Sequence, residues 1–233
     1  MEETDGLRFD SRGLFDKQIH TVPYKDINAV VSIIPFKEMQ PDAETITAHQ
    51  RVIEESRKQG TTLPVRFGIM FKSDDGVKQM LAKSYKDMTS KITKFRGKDE
   101  FGLKIIMDQA DLKKFSTASE NNLEIKKLKG KIASSGQGAA YFLKMKMDEA
   151  IRNETYKRIE KISGYIHSEL TNDAQESSIL KSDFDQIFLN AAYLIDRKAG
   201  DKFHKKLDSL KDEYKSEGLI FHLSGPWAPY SFC

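Results

Sequence analysis

Two spacings of apolar residues alternate along this chain of 233 residues, and they restrict its fold class more than any other feature. Between Lys98 and Met107 every second residue is apolar from Phe101 onward, which is typical of a strand with one buried face. Between Ser73 and Gly97 apolar residues recur at steps of three and four, which is typical of an amphipathic helix. A chain that repeats both patterns in short segments is expected to have an α+β fold.

The same reasoning gives an ordered series of predicted elements. Helices are predicted over residues 43–59, between a cap at Asp42 and a stop at Gly60, and from the cap at Ser73 to the stop at Gly97. Two more are predicted, a long one after Gly138 and one around Phe203 to Tyr214. Strands are predicted at residues 18–23, 27–34, 63–71, 98–107, 177–180, 187–195 and 219–223. The 27–34 segment is apolar on both faces, which predicts an interior strand. The Pro- and aromatic-rich residues 225–232 are predicted to be irregular.

From Lys98 onward the predicted order is strand, helix, strand, strand, helix, strand, which is the split βαβ order of the ferredoxin-like fold. A long helix and a variable insertion at residues 109–135 would modify this fold. The simplest organisation is two α+β domains, residues 1–96 and a C-terminal ferredoxin-like domain at 97–233 that ends in the Pro- and aromatic-rich tail. The strand at 98–107 could instead close the N-terminal sheet.

Composition narrows the functional classes. Lys and Arg number 38 and Asp and Glu number 35, so the net charge is only +3, and the chain is not built mainly to neutralise phosphates. Hydrophobic residues make up 39%, which is enough for an ordinary core. The single cysteine, Cys233, excludes an intramolecular disulfide and any Cys-rich metal site, and its place at the chain end predicts an accessible thiol.

No segment has the features of a membrane span or a targeting signal. The longest apolar runs, at residues 29–34 and 187–195, are much shorter than the roughly 20 residues that a membrane helix needs. The acidic, polar N-terminus resembles neither a secretory signal nor an Arg-rich transit peptide. A cytoplasmic protein without membrane contact is therefore expected.

No catalytic, cofactor or metal site is predicted. The five histidines are scattered, and none has a partner at metal-ligand spacing: His20, His49, His167, His204 and His222. Residues 134–138 precede a helix but lack the Gly-Lys-Ser/Thr ending of a phosphate loop. No nucleophile motif is present. The chain is therefore expected not to be an enzyme.

Two features are typical of nucleic-acid-binding proteins, an aromatic segment and a lysine cluster, whereas the low net charge argues against this function. Residues 66–71 distantly resemble the aromatic strand of RNA-recognition sheets, but Val65, Phe67, Ile69 and Phe71 share one face, which favours packing in a core. A lysine cluster lies in the 109–135 segment, where a solvated surface is the commoner role: Lys126, Lys127, Lys129 and Lys131.

Four polar residues stand out in predicted strands. Three of them are predicted to project from the strand faces opposite the apolar rows: Arg66, Glu100 and Lys104. Their side chains are expected either to be exposed to solvent or to form a charge network. Asn190 lies in a strand that is apolar on both faces, so a hydrogen-bond partner is required if it is buried.

Four segments together resemble the landmarks of the gas vesicle protein GvpF/GvpL family in order and spacing. They are residues 63–68 (Leu-Pro-Val-Arg-Phe-Gly), 97–104 (Gly-Lys-Asp-Glu-Phe-Gly-Leu-Lys), 189–195 (Leu-Asn-Ala-Ala-Tyr-Leu-Ile) and 224–232 (Ser-Gly-Pro-Trp-Ala-Pro-Tyr-Ser-Phe). The Gly-Pro-Trp ending is the most specific of them. The aromatic first strand that is usual near the N-terminus of the family is not recognisable before Gln18.

The resemblance implies a non-enzymatic accessory protein of gas vesicle formation, a minor vesicle component or assembly factor located in the cytoplasm and the gas vesicle. It implies that the chain binds the small hydrophobic shell subunit GvpA and other accessory Gvp proteins. The landmark positions would have a structural or partner-binding role: Arg66, Phe67, Gly68, Glu100, Lys104, Asn190, Gly225, Pro226, Trp227, Pro229, Tyr230 and Phe232. The alternatives are a ferredoxin-like nucleic-acid-binding module and a small-ligand-sensing module, neither of which follows from fold alone.

Overall fold

The computed structural model of the chain describes residues 7–37, 39–107, 122–182, 184 and 186–233. Contacts between Cα atoms divide it into two compact units. Unit 1 comprises Met1–Phe101 and Gly225–Cys233, and unit 2 comprises Gly102–Ser224. The predicted folding domains, 1–96 and 97–233, stay a prediction, because a division by contacts does not measure independent folding.

Unit 1 begins with a two-stranded antiparallel sheet. Strand β1 (Ile19–Tyr24) pairs with β2 (Ile27–Ser32), and Lys25 takes a positive φ of 53° in the turn between them. The prediction of an interior strand at 27–34 is wrong, because the sheet has only two strands among the described residues. Beyond β2, Ile33 is 75% exposed in the described part of the chain.

Two helices complete the core of unit 1, and both begin at the predicted caps. Helix α1 (Ala43–Gln59) begins after Asp42, whose Oδ1 accepts the Thr45 N–H at 2.8 Å. Helix α2 (Asp74–Phe95) begins after Ser73, whose hydroxyl accepts the Gly76 N–H. Helix α1 buries Ile53, and the main buried cluster comes from the β1–β2 hairpin and from α2: Val22, Ile27, Val77, Leu81 and Ile92.

The strand predicted at residues 63–71 is not formed. The segment has no strand pairing, and a turn at Phe67 and Gly68 interrupts it. Gly68 has a φ of +89°, in the left-handed region that an extended strand cannot include. Pro64 also lacks the N–H group that a strand ladder needs. The alternating apolar pattern is real, but backbone geometry prevents it from forming a strand.

The remaining elements begin with β3 (Lys98–Ile106), as predicted. They continue with α3 (Leu123–Ala133), α4 (Gln137–Thr171), β4 (Glu176–Ile179), β5 (Ile187–Asp196), α5 (Gly200–Glu213) and β6 (Ile220–Trp227). Residues 109–121 of the predicted insertion lie outside the described part of the chain, and α3 occupies most of the rest. Strand β6 extends to Trp227, so the irregular tail is shorter than predicted.

Four strands form one sheet in the order β4-β5-β3-β6, in which β4 and β5 are antiparallel. Helices α4 and α5 both pack on β5 in unit 2. Five consecutive residues of β5, from Ala191 to Ile195, are buried. This explains why β5 is apolar on both faces, and the fold is a mixture of helix and sheet, as predicted.

Candidate functional site

The C-terminal tail is held within unit 1 by a buried carboxylate on β3. Glu100 Oε2 accepts the Ser231 N–H at 2.8 Å, and Glu100 Oε1 accepts the Ser231 hydroxyl at 2.7 Å. Burial raises the pKa of Glu100 above its usual range, and the two hydrogen bonds from Ser231 oppose this shift. The structure shows neither of the two alternatives predicted for Glu100, solvent exposure or a charge network, because Glu100 is buried and hydrogen-bonded to Ser231.

A second polar group lies beside this contact, on α1. Arg57 donates to Glu54 Oε2 and to Asp99 Oδ1, both at 2.8 Å. Glu54 also accepts the Ala228 N–H of the tail at 3.3 Å. Burial alone would lower the pKa of Arg57, but its two carboxylate partners outweigh burial and raise it. Arg57 is therefore a fixed cation between an α1 carboxylate and a β3 carboxylate.

Close backbone contact completes this arrangement, which we call the tail clasp: Glu54, Arg57, Asp99, Glu100, Gly225, Ala228 and Ser231. Gly225 has a φ of +114°, and a Cβ atom there would lie 2.7 Å from the Glu100 carbonyl oxygen. Ala228 is fully buried, whereas Trp227 and Phe232 are half-buried and Tyr230 is exposed. Tyr230 is 42% exposed, and burial of the rest of the side chain, together with the charges of Glu54 and Glu100, raises its pKa to about 12. Of the landmark residues of the C-terminal segment, Gly225 belongs to the clasp, Pro229 is buried beside Ala228, and Pro226 is exposed.

The landmark segment 63–68 lies in unit 1, in a largely exposed loop of residues 63–71 that His49 supports. His49 Nε2 donates to the Val65 carbonyl oxygen at 2.9 Å, and its ring meets the Phe67 ring edge to face at 5.6 Å between centroids. Arg66 and Gly68 are exposed at the outer side of the loop. The contacts of His49 fix the backbone of the loop even though no strand forms.

Several large apolar side chains of unit 1 remain exposed around this loop. Val65, Ile69 and Phe71 are between 37% and 55% exposed, so the predicted packing of this apolar row into a core is wrong. Ile46 lies on α1 one turn before His49, and the Lys72 ammonium lies 6.0 Å from the Phe36 ring centroid. We call this the apolar loop surface: Phe36, Ile46, Val65, Ile69 and Phe71, all exposed. It is the kind of patch that soluble proteins use for binding partners.

Two landmark residues lie in unit 2. Lys104 is exposed on β3. Asn190, on β5, is half-buried and donates from Nδ2 to the Lys181 carbonyl oxygen at 3.3 Å. Asn190 therefore has the hydrogen-bond partner that its apolar surroundings require.

The described residues include no cluster of three or more His, Cys, Asp or Glu side chains arranged to hold a metal ion. Within the same part of the chain, none of the helices combines the length and the hydrophobicity needed to cross a bilayer. What the two sites of unit 1 offer chemically is a fixed tail and an apolar patch, which suit binding rather than bond making.

Sequence reasoning missed most of the polar residues of the clasp. Glu54 and Arg57 are three apart on α1, a spacing that any solvated ion pair shares, so nothing marked them as partners of Asp99. Ser231 had no signal beyond its place in the tail. The contact joins residues 131 positions apart, which local patterns do not report.

Comparison with known proteins identifies the family. The family model described as "Gas vesicle synthesis protein GvpL/GvpF" matches residues 2–233. The chain is 25% identical to gas vesicle protein F1 of Halobacterium salinarum over 234 residues, which cover 99% of this chain and 88% of the relative. It is 24% identical to gas vesicle protein F of Microcystis aeruginosa over 234 residues, with 98% and 92% covered.

Solved structures agree on the fold. The crystal structure of GvpF from Anabaena sp. matches with a TM-score of 0.81 at 21% identity, covering 95% of this chain and 90% of that one. GvpF from Microcystis aeruginosa matches with a TM-score of 0.76 at 20% identity, covering 99% and 94%. At this identity the likeness shows the mixed helix and sheet fold, while the family model shows the relationship. The chain therefore belongs to the GvpL/GvpF family of gas vesicle synthesis proteins.

Proposed function

We propose that this chain is a non-enzymatic accessory protein of gas vesicle formation that binds the hydrophobic shell subunit GvpA and other accessory Gvp proteins. Its family membership supports the role in gas vesicle formation. The apolar loop surface is the observation that supports direct binding of an apolar partner. The same proposal includes a cytoplasmic location and association with the vesicle.

The apolar loop surface suits such a partner for two reasons. Its side chains are exposed in the isolated chain, and covering them removes apolar area from water at roughly 25 cal/mol per Å². The loop backbone is already fixed by His49, so little conformational entropy is lost when a partner binds. An apolar helix of the shell subunit could lie on this surface.

The outer edge of β2 offers a second mode of contact. Among the described residues β2 pairs with β1 alone, so β2 is an edge strand of a two-stranded sheet, and edge strands are where an added strand binds. Strand addition and helix docking make different demands, because the first depends on backbone groups and the second on side chains. Substitution of loop side chains therefore separates them.

The ferredoxin-like interpretation of the C-terminal domain belongs to the same proposal. From β3 onward the elements follow the order β3, α3, α4, β4, β5, α5, β6, and the sheet order is β4-β5-β3-β6. Counted from β3 as the first strand, the sheet order is second, third, first, fourth. In a split βαβ sheet the first strand also lies between the third and the fourth. The strand order thus supports a modified ferredoxin-like fold with α3 as part of the insertion.

Co-expression of the tagged chain with GvpA, followed by pull-down at about 0.1 M and about 1 M salt, tests the proposal. We expect GvpA to be retained at both concentrations, because the Debye length falls from roughly 10 Å to 3 Å while burial of apolar area does not depend on charge. The Ile69→Asp variant should lose most of this retention. Retention that survives Ile69→Asp would favour strand addition at β2.

The matched control is Ile179→Asp, which places the same charge at an exposed isoleucine of unit 2. It should retain GvpA as the unmodified chain does. Absence of GvpA at both salt concentrations, together with tight and salt-sensitive retention of RNA, would overturn the proposal and favour the nucleic-acid-binding alternative.

A further inference from the structure

A helical hairpin in unit 2 leaves one face of a long helix uncovered. Helix α3 packs on α4, and Ile125 of α3 is buried. All five buried residues of α4 lie in its second half, from Thr155 to Leu170. In the described structure the first half of α4 therefore presents only exposed or half-buried side chains.

Large apolar side chains form a stripe on this half of α4. Tyr141 and Met145 are four residues apart and Phe142 and Met145 are three apart, so all three share one helix face. Each is between 55% and 70% exposed. A shallow depression of about 460 Å³ follows the same face and is lined by Phe142, Met145, Lys146, Glu149, Arg152 and Asn153. We call Tyr141, Phe142 and Met145 the hairpin stripe.

Positive charge borders the hairpin stripe on both sides. Lys144 and Lys146 precede and follow Met145, and neighbours in a helix point about 100° to either side of it. The Lys146 ammonium lies 4.8 Å from the Phe142 ring centroid. Residues 123–146 contain six lysines against one glutamate, a net charge of +5, whereas the whole chain carries +3. The positive charge of the chain is therefore concentrated on this hairpin.

We propose that the hairpin stripe binds an amphipathic helical segment of a partner protein, whose apolar stripe is bordered by Asp and Glu side chains. The apolar side chains supply burial, as in helix-in-groove recognition, and the flanking lysines select acidic borders, as charges beside a coiled-coil seam do. This surface lies in unit 2, so the inference goes beyond the binding of GvpA by unit 1.

The pattern of charges favours a protein helix over the other anionic partners. Asp148 and Glu149 follow Lys146 within one turn and would repel a phosphate backbone that continued along the helix. A second copy of this chain would bring another hairpin of net charge +5 to the same place, and like charges oppose that contact. A protein helix avoids both obstacles, because its acidic side chains need lie only beside Lys144 and Lys146, whereas the charge of a phosphate backbone is continuous.

Two labelled peptides of about 20 residues provide the test, with the same leucine stripe and with either glutamate or lysine borders. Fluorescence anisotropy with the full chain should give at least about tenfold tighter binding of the glutamate peptide. Met145→Asp should weaken that binding about tenfold or more. The double variant Lys144→Glu with Lys146→Glu should reverse the preference in favour of the lysine peptide.

The matched control is the double variant Lys157→Glu with Lys161→Glu, at exposed positions in the second half of α4, which should leave the peptide preference unchanged. Circular dichroism must show native helix content in every variant. Equal binding of both peptides, or no reversal by the lysine variant, would overturn the proposal. The proposal would also be overturned if the full chain bound RNA or associated with itself and if Met145→Asp and the double variant Lys144→Glu with Lys146→Glu abolished that binding. Met145→Asp should still retain GvpA, which keeps this test separate from that of the proposed function.

Discussion

Glu100 and Ser231 are 131 positions apart in sequence and are joined by two hydrogen bonds, in which the carboxylate accepts both the backbone N–H and the hydroxyl of the serine. The two oxygens of one buried side chain thereby satisfy both donors of one tail residue. A carboxylate can do this without any rearrangement because its oxygens accept independently. The contact ties the end of the chain to β3.

Glu100 should make stability depend on pH. Burial raises the pKa of Glu100 in the folded chain above its unfolded value, so folding favours the protonated form. The resulting stabilisation is present below the unfolded pKa and is lost as the pH rises through the folded pKa. Glu100→Gln keeps one acceptor and cannot titrate. Urea unfolding between about pH 4 and pH 7 should therefore show the stability of the wild type relative to Glu100→Gln falling as the pH rises. A constant difference would contradict a buried, titrating Glu100.

Gly225 should tolerate no side chain. A Cβ atom would lie 2.7 Å from the Glu100 carbonyl oxygen and 3.2 Å from Phe101 Cδ1, at a φ of +114°. Gly225→Ala should therefore lower the free energy of unfolding by about 1 to 3 kcal/mol or more, through strain and displacement of the tail. Gly164 in α4 has open space around it, so Gly164→Ala should instead stabilise by about 0.5 to 1 kcal/mol. Equal effects in thermal unfolding would contradict the close contact at Gly225.

Arg57 should contribute more to stability than an exposed ion pair does. Arg57→Ala removes the ion pairs that the guanidinium makes with the largely buried Asp99 and with Glu54, and it should cost about 3 to 5 kcal/mol in denaturant unfolding. Arg158 pairs with Glu217 at 2.9 Å in a more exposed setting, and Arg158→Ala should cost less than about 1 kcal/mol. Similar losses for both variants would show that Asp99 is well solvated.

Cys233 should react slowly with thiol reagents although part of the residue is exposed. Burial raises the pKa of its thiol to about 11, so only about 0.1% is thiolate at pH 8. Labelling with a maleimide should be far slower in the native chain than in urea and should speed up about tenfold per pH unit. Fast labelling at pH 7 would contradict this prediction. It would instead agree with the accessible thiol that the position of Cys233 at the chain end predicts.

Local patterns predicted the secondary structure well where an apolar repeat continued over many residues or where a capping residue marked its end. Helix α1 begins and ends where Asp42 and Gly60 indicated, and β3 begins at Lys98 as the alternation indicated. The periods of two and of three to four follow directly from backbone geometry, so no tertiary contact is needed to recognise them. The family landmarks were visible for the same reason, since each is a short contiguous segment.

The same local reasoning was wrong for residues 63–71, and the cause is instructive. The alternation of Val65, Phe67, Ile69 and Phe71 indicates where side chains point in an extended chain, but it does not supply a neighbouring strand. The positive φ of Gly68 interrupts the extended backbone, and the row stays exposed. Apolar residues that are exposed in this way carry the proposed binding function, which is where local prediction of a core is expected to be wrong.

The sequence alone determined the class of the elements, their order and the family, because these are encoded in periodicity and in short contiguous segments. Only the tertiary structure decided that the tail joins β3 and α1 in unit 1, that Arg57 lies between Glu54 and Asp99, and that the 63–71 row and the hairpin stripe are exposed. The physical reason is that hydrogen bonds across 131 positions, and the burial or exposure of an apolar side chain, depend on which distant segments meet it. A local pattern carries no record of those segments.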